Sequence, residues 1–129
     1  MKNIFGIALF LILSVANAQA QYKTFPKGNL GGDIIGKGDV RFEVVSTSSS
    51  ASFYPIAPDG SLIEKGPTSL EINVLYLGHQ ASEIFNPEFI DGHYTVGLDP
   101  EKIIYYYFVK GTFDNKLVEF KEQMVEYGK

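Results

Sequence analysis

The residues of this chain that could bind or transform something are few. They are two histidines, His79 and His93, a set of aspartates beside glycine or proline, a Ser/Thr cluster at 46–50, and the aromatic run Tyr105-Tyr106-Tyr107-Phe108. Imidazole is the usual protein ligand for zinc, copper or nickel, and Asp91, two residues before His93, could complete a partial site. His79, His93 and Asp91 are therefore the candidate ligands for a transition metal. The two histidines belong to different turns, Gly78-His79-Gln80 and Asp91-Gly92-His93. Nothing in their spacing forces them together, and the simpler reading makes His79 an exposed turn residue and His93 the start of a strand.

Asp33, Asp39, Asp59, Asp91 and Asp99 all stand in glycine- or proline-marked loops, but none falls in the alternating Asp-x-Asp-x-Asp-Gly pattern that wraps calcium. They read as turn residues. The cluster Ser46 to Ser50 lacks the Gly-x-Ser-x-Gly elbow that exposes a nucleophile, and reads as a polar loop. No pair of carboxylates is singled out for glycoside hydrolysis. Without any Cys, thiol catalysis, thiolate metal sites and haem attachment through Cys are excluded. No catalytic constellation remains, and the chain reads as non-enzymatic.

The aromatic run is the best candidate for ligand recognition. Strict alternation along a strand puts Tyr105 and Tyr107 on one face and Tyr106 and Phe108 on the other. A tyrosine offers a large apolar ring with a polar tip, which suits a binding surface. Tyr105 and Tyr107 are thus the candidate ligand-binding residues, for a sugar or a peptide, against a competing reading in which the strand packs on both faces. The absence of Trp weakens the sugar reading. The segment Phe85-Asn86-Pro87-Glu88-Phe89-Ile90 either pins a loop over the end of the domain or forms a contact patch, and the pinned loop is favoured.

The elements that must position these residues follow from periodicity. Val40, Phe42 and Val44 alternate with Arg41 and Glu43, and Leu70, Ile72, Val74 and Tyr76 share one face of a strand over 69–77. Ser52 to Ile56, Tyr94 to Leu98, Ile103 to Val109 and Leu117 to Phe120 add further strands. The run Ile103 to Val109 is apolar enough to be a central strand covered on both faces. Pro58-Asp59-Gly60 marks a turn, with Ser61 to Ile63 as its short return strand. Residues 21–39 read as a glycine-rich N-terminal segment with a short strand at Asp33 to Ile35, and 121–129 as a charged tail that frays. About seven short strands and no helix predict a single antiparallel β-sandwich. It is immunoglobulin-like in architecture only, because the Cys and Trp markers are absent.

The first 20 residues predict a different fate. Met1-Lys2-Asn3, an apolar run from Ile4 to Val15, and Ala18-Gln19-Ala20 have the charge, length and small-residue spacing of a secretory signal peptide. Cleavage after Ala20 is preferred, leaving about 109 of the 129 residues as one domain, 21–129. The expected location is the periplasm or the exterior, with no membrane insertion after cleavage. The formal charge of −4 moves to about −5, which gives no reason to bind nucleic acid. An unknown protein or a small ligand is the expected partner.

The order of features, Gly31-Gly32, then Phe42-Glu43-Val44-Val45, Phe53-Tyr54, the Asp59-Gly60 turn, the Leu70 to Tyr76 strand and an apolar strand near the end, resembles small periplasmic β domains of Gram-negative bacteria. Those domains occur alone or beside heavy-metal efflux adaptors. The resemblance implies an accessory role in metal efflux or envelope homeostasis. Members often carry a His directly before the Gly-Gly, where this chain has Asn29-Leu30, so it supports fold and compartment more than metal binding.

Overall fold

The computed structural model describes residues 20–127 apart from Thr68 and Asp114, with Ala20 and Tyr127 described through their backbone alone. The signal-peptide segment lies outside the described residues except for Ala20. Ten strands and no helix make up this span: β1 (Ala20–Tyr22), β2 (Asp33–Lys37), β3 (Val40–Ser46), β4 (Ser50–Ile56), β5 (Ser69–Tyr76), β6 (Glu83–Phe85), β7 (Tyr94–Gly97), β8 (Ile104–Phe113), β9 (Lys116–Gln123) and β10 (Val125–Tyr127). Every pairing is antiparallel. One sheet has the order β2-β3-β4-β7, the other β6-β5-β8-β9, and β1 pairs with β10 as a separate ribbon.

The period-two pattern explains why the sheets face each other. Phe42 and Val44 on β3, Ala51 and Phe53 on β4, and Tyr94 and Val96 on β7 are buried on one inner face. Leu70, Ile72, Val74 and Tyr76 on β5, with Tyr107 and Val109 on β8, are buried on the other. Phe53 joins the layers, with its ring edge-on to Tyr107 at 5.1 Å and to Phe42 at 6.0 Å. Apolar faces on both sheets must leave water, and one shared core satisfies both.

The strand count exceeds the expected seven because three short strands carry little pattern of their own. β1, β6 and β10 have three residues each and exist through their partners. The charged tail does not simply fray. β9 reaches Gln123, Met124 and Val125 are buried, and β10 pairs with β1. The expected return strand at Ser61 to Ile63 reduces to a single bridge, Ile56 to Leu62, and one hydrogen bond from Ile63 N–H to Pro55 O. The turn before it is as predicted: Gly60 takes a φ of +90°, where a side chain would be strained.

One carboxylate fastens the N-terminal segment across the outside of the first sheet. Glu43 is fully buried, and its Oε2 accepts the N–H groups of Leu30 and Gly32, each at 2.8 Å. Gly28 lies against the same carboxyl so closely that any Cβ there would run into it. Alternation alone assigns Glu43 to the polar face of β3. The loop 28–32 folds over that face and turns an exposed position into a buried clasp.

Candidate functional site

The aromatic run does not obey simple alternation. Leu75 pairs with Tyr106, whereas the next residue, Tyr76, pairs with Ile104, so Tyr105 is an extra residue in β8. A bulge of this kind re-aims side chains. It breaks the predicted pairing of Tyr105 with Tyr107. Tyr107 enters the core at 1 % exposure, and Tyr105 stays half-buried with its ring 4.2 Å from that of Tyr106. Nor is β8 covered on both faces: Tyr106 and Phe108 remain half-buried on the outer side of the second sheet.

The outer face therefore gathers Tyr105, Tyr106 and Phe108, with Tyr106 and Phe108 centroids 5.9 Å apart. Cross-strand pairing sets Lys121 of β9 opposite Phe108, and its ammonium lies 3.9 Å from the Tyr106 ring centre and 5.3 Å from that of Phe108. The Tyr106 hydroxyl donates to Gln123 Oε1 at 3.2 Å, and Gln123 Nε2 donates to Val125 O at 2.7 Å, so the ring is oriented from its polar tip. The Tyr105 hydroxyl is held above the usual tyrosine value, chiefly by the Tyr106 hydroxyl beside it. On β5, opposite Phe108, Asn73 donates to Glu71 at 3.5 Å, while its buried Oδ1 has no partner among the described residues. A shallow hollow of about 750 Å³ runs over Asn73, Phe108 and Lys121 and is flanked by Glu71, Lys110 and Glu119. Rings beside amides and charged groups can stack on an apolar face and hydrogen-bond at its rim.

The second concave feature sits at one end of the sandwich. Its cavity of about 470 Å³ is built from Tyr22 to Phe25, the β3–β4 turn, the loop Leu98 to Lys102, and the start of β8. The Ser/Thr cluster supplies one wall and is a tight turn: Thr47 N–H bonds Ser50 O at 2.9 Å, and their hydroxyls lie 2.9 Å apart. Tyr22 Oη accepts the Ile104 N–H at 3.1 Å, and Tyr76 Oη accepts that of Asp99 at 2.9 Å. Tyr107 lines the cavity from the core side, and its hydroxyl has no partner among the described residues. No family model, no curated protein and no solved structure matches this chain. The functional reading rests on these two features and on the placement of the predicted ligands.

The three candidate metal ligands are not brought together. His79 stands three residues past the end of β5, its N–H on Tyr76 O at 3.1 Å and its ring 6.0 Å from that of Tyr76. His93 precedes β7 at the other end, where the next residue, Tyr94, donates to Pro67 O just before β5 begins. The length of β5, on the order of 20 Å, separates the two. Asp91 and Gly92 have φ values of +53° and +84° and close a two-residue turn through reciprocal bonds between Ile90 and His93. Asp91 is a turn residue there. The His93 ring packs on Tyr54 at 4.6 Å. No group of three or more His, Cys, Asp or Glu able to hold a metal occurs among the described residues.

The other loop aspartates are engaged locally. Asp59 accepts the Ser61 hydroxyl at 2.7 Å and its N–H at 2.9 Å, and the hydroxyl bond leads in lowering its pKa. Asp33 pairs with Lys27, and Asp99 with Lys102 at 3.5 Å. Phe89 packs on Tyr94 at 5.1 Å, and Phe85 also lies against the core, which pins that loop while Ile90 points outward at 58 % exposure. Sequence reasoning placed Tyr106 and Phe108 on one face but not Tyr105 beside them, because a bulge leaves no mark in the pattern, and it did not single out Lys121.

Proposed function

We propose that this chain is an exported, non-enzymatic binding protein whose recognition surface is the outer aromatic face of the second sheet, and that its ligand is a saccharide. The observation that carries this reading is the bulge at Tyr105, which sets Tyr105, Tyr106 and Phe108 together on the open side of a rigid sheet. A sugar ring stacks its C–H face on such rings, while Asn73, Gln123 and the charged groups around the hollow offer donors and acceptors to its hydroxyls. Lys121 covers Tyr106 from solvent, but an exposed cation–π contact is worth only about 0.5–1 kcal/mol, so a ligand displaces it at small cost. Export is supported by the character of residues 1–20.

The metal-efflux setting implied by the family resemblance asks for clustered ligands, which the described residues do not offer. A structural role through edge pairing is less favoured: edge strand β9 carries Lys116, Glu119, Lys121 and Glu122, charges that discourage strand addition. The test is calorimetric titration with chitotriose, cellotriose and maltotriose, and with an extended peptide for contrast. Binding of one trisaccharide that falls at least tenfold in Tyr106→Ala and Phe108→Ala, with the circular dichroism spectrum unchanged, is the expected result. Binding of the peptide alone, or unchanged saccharide affinity in both variants, would overturn the reading.

A further inference from the structure

We infer that the end cavity is a second binding site, separate from the aromatic face, and that it takes a small, mostly apolar molecule carrying one carboxylate. At about 470 Å³ it falls within the roughly 300–1,000 Å³ range of small-molecule pockets. Phe25, Leu98, Ile104 and Met124 give it an apolar lining. Lys27 and Lys102 also border it, but each is matched by an aspartate, Asp33 and Asp99. Lys23 borders it as well and makes no ion pair within 4.0 Å among the described residues, which leaves the lining one positive charge in excess.

The polar anchor is Tyr107. Its side chain is 1 % exposed, and its hydroxyl, with under 1 Å² of accessible area, has no partner among the described residues. A buried hydroxyl without a partner costs stability, and native proteins hold few such groups. Burial keeps this phenol protonated well above the ordinary tyrosine range, with Tyr22, Tyr76 and Asp33 near enough to add to the effect. It is therefore a standing donor, and a carboxylate oxygen is the acceptor that gains most from it. Met124 shares the lining, and its unbranched chain can change rotamer to admit that oxygen.

The site is built from segments distant in sequence. Tyr22 is carried by β1 and Phe25 by the segment after it, Leu98 by the residue following β7, and Tyr107 by β8. The Tyr22 to Ile104 hydrogen bond and the bond from Lys23 N–H to Met124 O at 2.9 Å hold these walls against each other. Neither contact involves the aromatic outer face, so the two sites can be lost independently.

Calorimetry with decanoate, decanol and decyltrimethylammonium tests the inference on the purified protein and on Tyr107→Phe and Lys23→Gln. Tyr107→Phe keeps the ring that packs on Phe53, so it preserves the fold while removing the donor. The expected result is one-to-one binding of decanoate, at least tenfold weaker binding of decanol, and no binding of the cation. Tyr107→Phe should weaken decanoate about tenfold or more, and Lys23→Gln should weaken it by a smaller factor. Absence of decanoate binding, equal affinity for decanol, or an unchanged affinity in Tyr107→Phe would each overturn the inference. Trisaccharide binding unaffected by Tyr107→Phe supports two separate sites, and its loss would contradict them.

Discussion

The aromatic face and the end cavity use neighbouring residues of one strand for opposite purposes. Tyr105 and Tyr106 lie on the outer side of β8, half-open, with their hydroxyls at the surface and Lys121 over a ring. Tyr107, the next residue, is sealed in the core with its hydroxyl unpartnered. The surface site keeps its tyrosine hydroxyls at the surface, and only Asn73 Oδ1 among its polar groups is buried without a partner among the described residues. The cavity site stores a desolvated donor, so its binding capacity is held at the expense of stability. The comparison teaches that one inserted residue decides which tyrosine serves which site.

The largest expected effect sharpens the contrast by loosening one region alone. Glu43→Ala leaves the N–H groups of Leu30 and Gly32 without an acceptor and opens a hole under the N-terminal segment, which forms a wall of the cavity. Urea unfolding should show a loss of about 3–5 kcal/mol. Hydrogen exchange in the variant should rise first in residues 22–33 and last in β5 and β8. Equal loosening of the second sheet would dissolve the distinction between the regions.

High pH acts next, chiefly through two buried tyrosines. Burial raises the Tyr94 phenol from an ordinary value of 10.0 to about 12, and Tyr107 is raised further in the same direction. The folded state thus holds protons that the unfolded state releases. The stability from these two groups is fully present below pH 10 and falls as pH rises through about 12. Denaturation midpoints measured from pH 8 to 12 should stay level to about pH 10 and then drop. A level midpoint across the whole range would place both phenols in water.

The smallest expected effect has the opposite sign. Tyr107→Phe removes an unpartnered buried hydroxyl while keeping the ring, and should stabilise the unliganded protein by about 1 kcal/mol. The equivalent removal at Tyr106 loses a part-buried bond to Gln123 and the contact with the Tyr105 hydroxyl, and should change stability by less than about 0.5 kcal/mol. A loss of stability in Tyr107→Phe would mean that its hydroxyl is already satisfied.

Much of the sandwich is legible in the sequence. The alternation in Val40 to Val44 and in Leu70 to Tyr76 reports the core directly, because a sheet with one wet face must write its burial with period two. The glycine- and proline-marked turns at 58–60 and 91–92 are equally plain. The three-residue strands are not, since partners that lie far off in sequence hold them. Glu43 is illegible for the same reason: a loop eleven residues upstream buries a position whose local pattern says exposed. The sites are the least legible parts. The outer face gains Tyr105 through a bulge, and the cavity is built from segments spread between Tyr22 and Met124 that meet only when the sheets close.

The most direct measurement of the central claim is nitration with tetranitromethane, read residue by residue by fragment mass spectrometry, with and without the trisaccharide that binds. The account predicts that Tyr105 and Tyr106 react, that the saccharide slows both, and that Tyr107 stays unmodified throughout. Reaction at Tyr107 as fast as at Tyr105, or no protection of Tyr105 and Tyr106 by the bound saccharide, would contradict it.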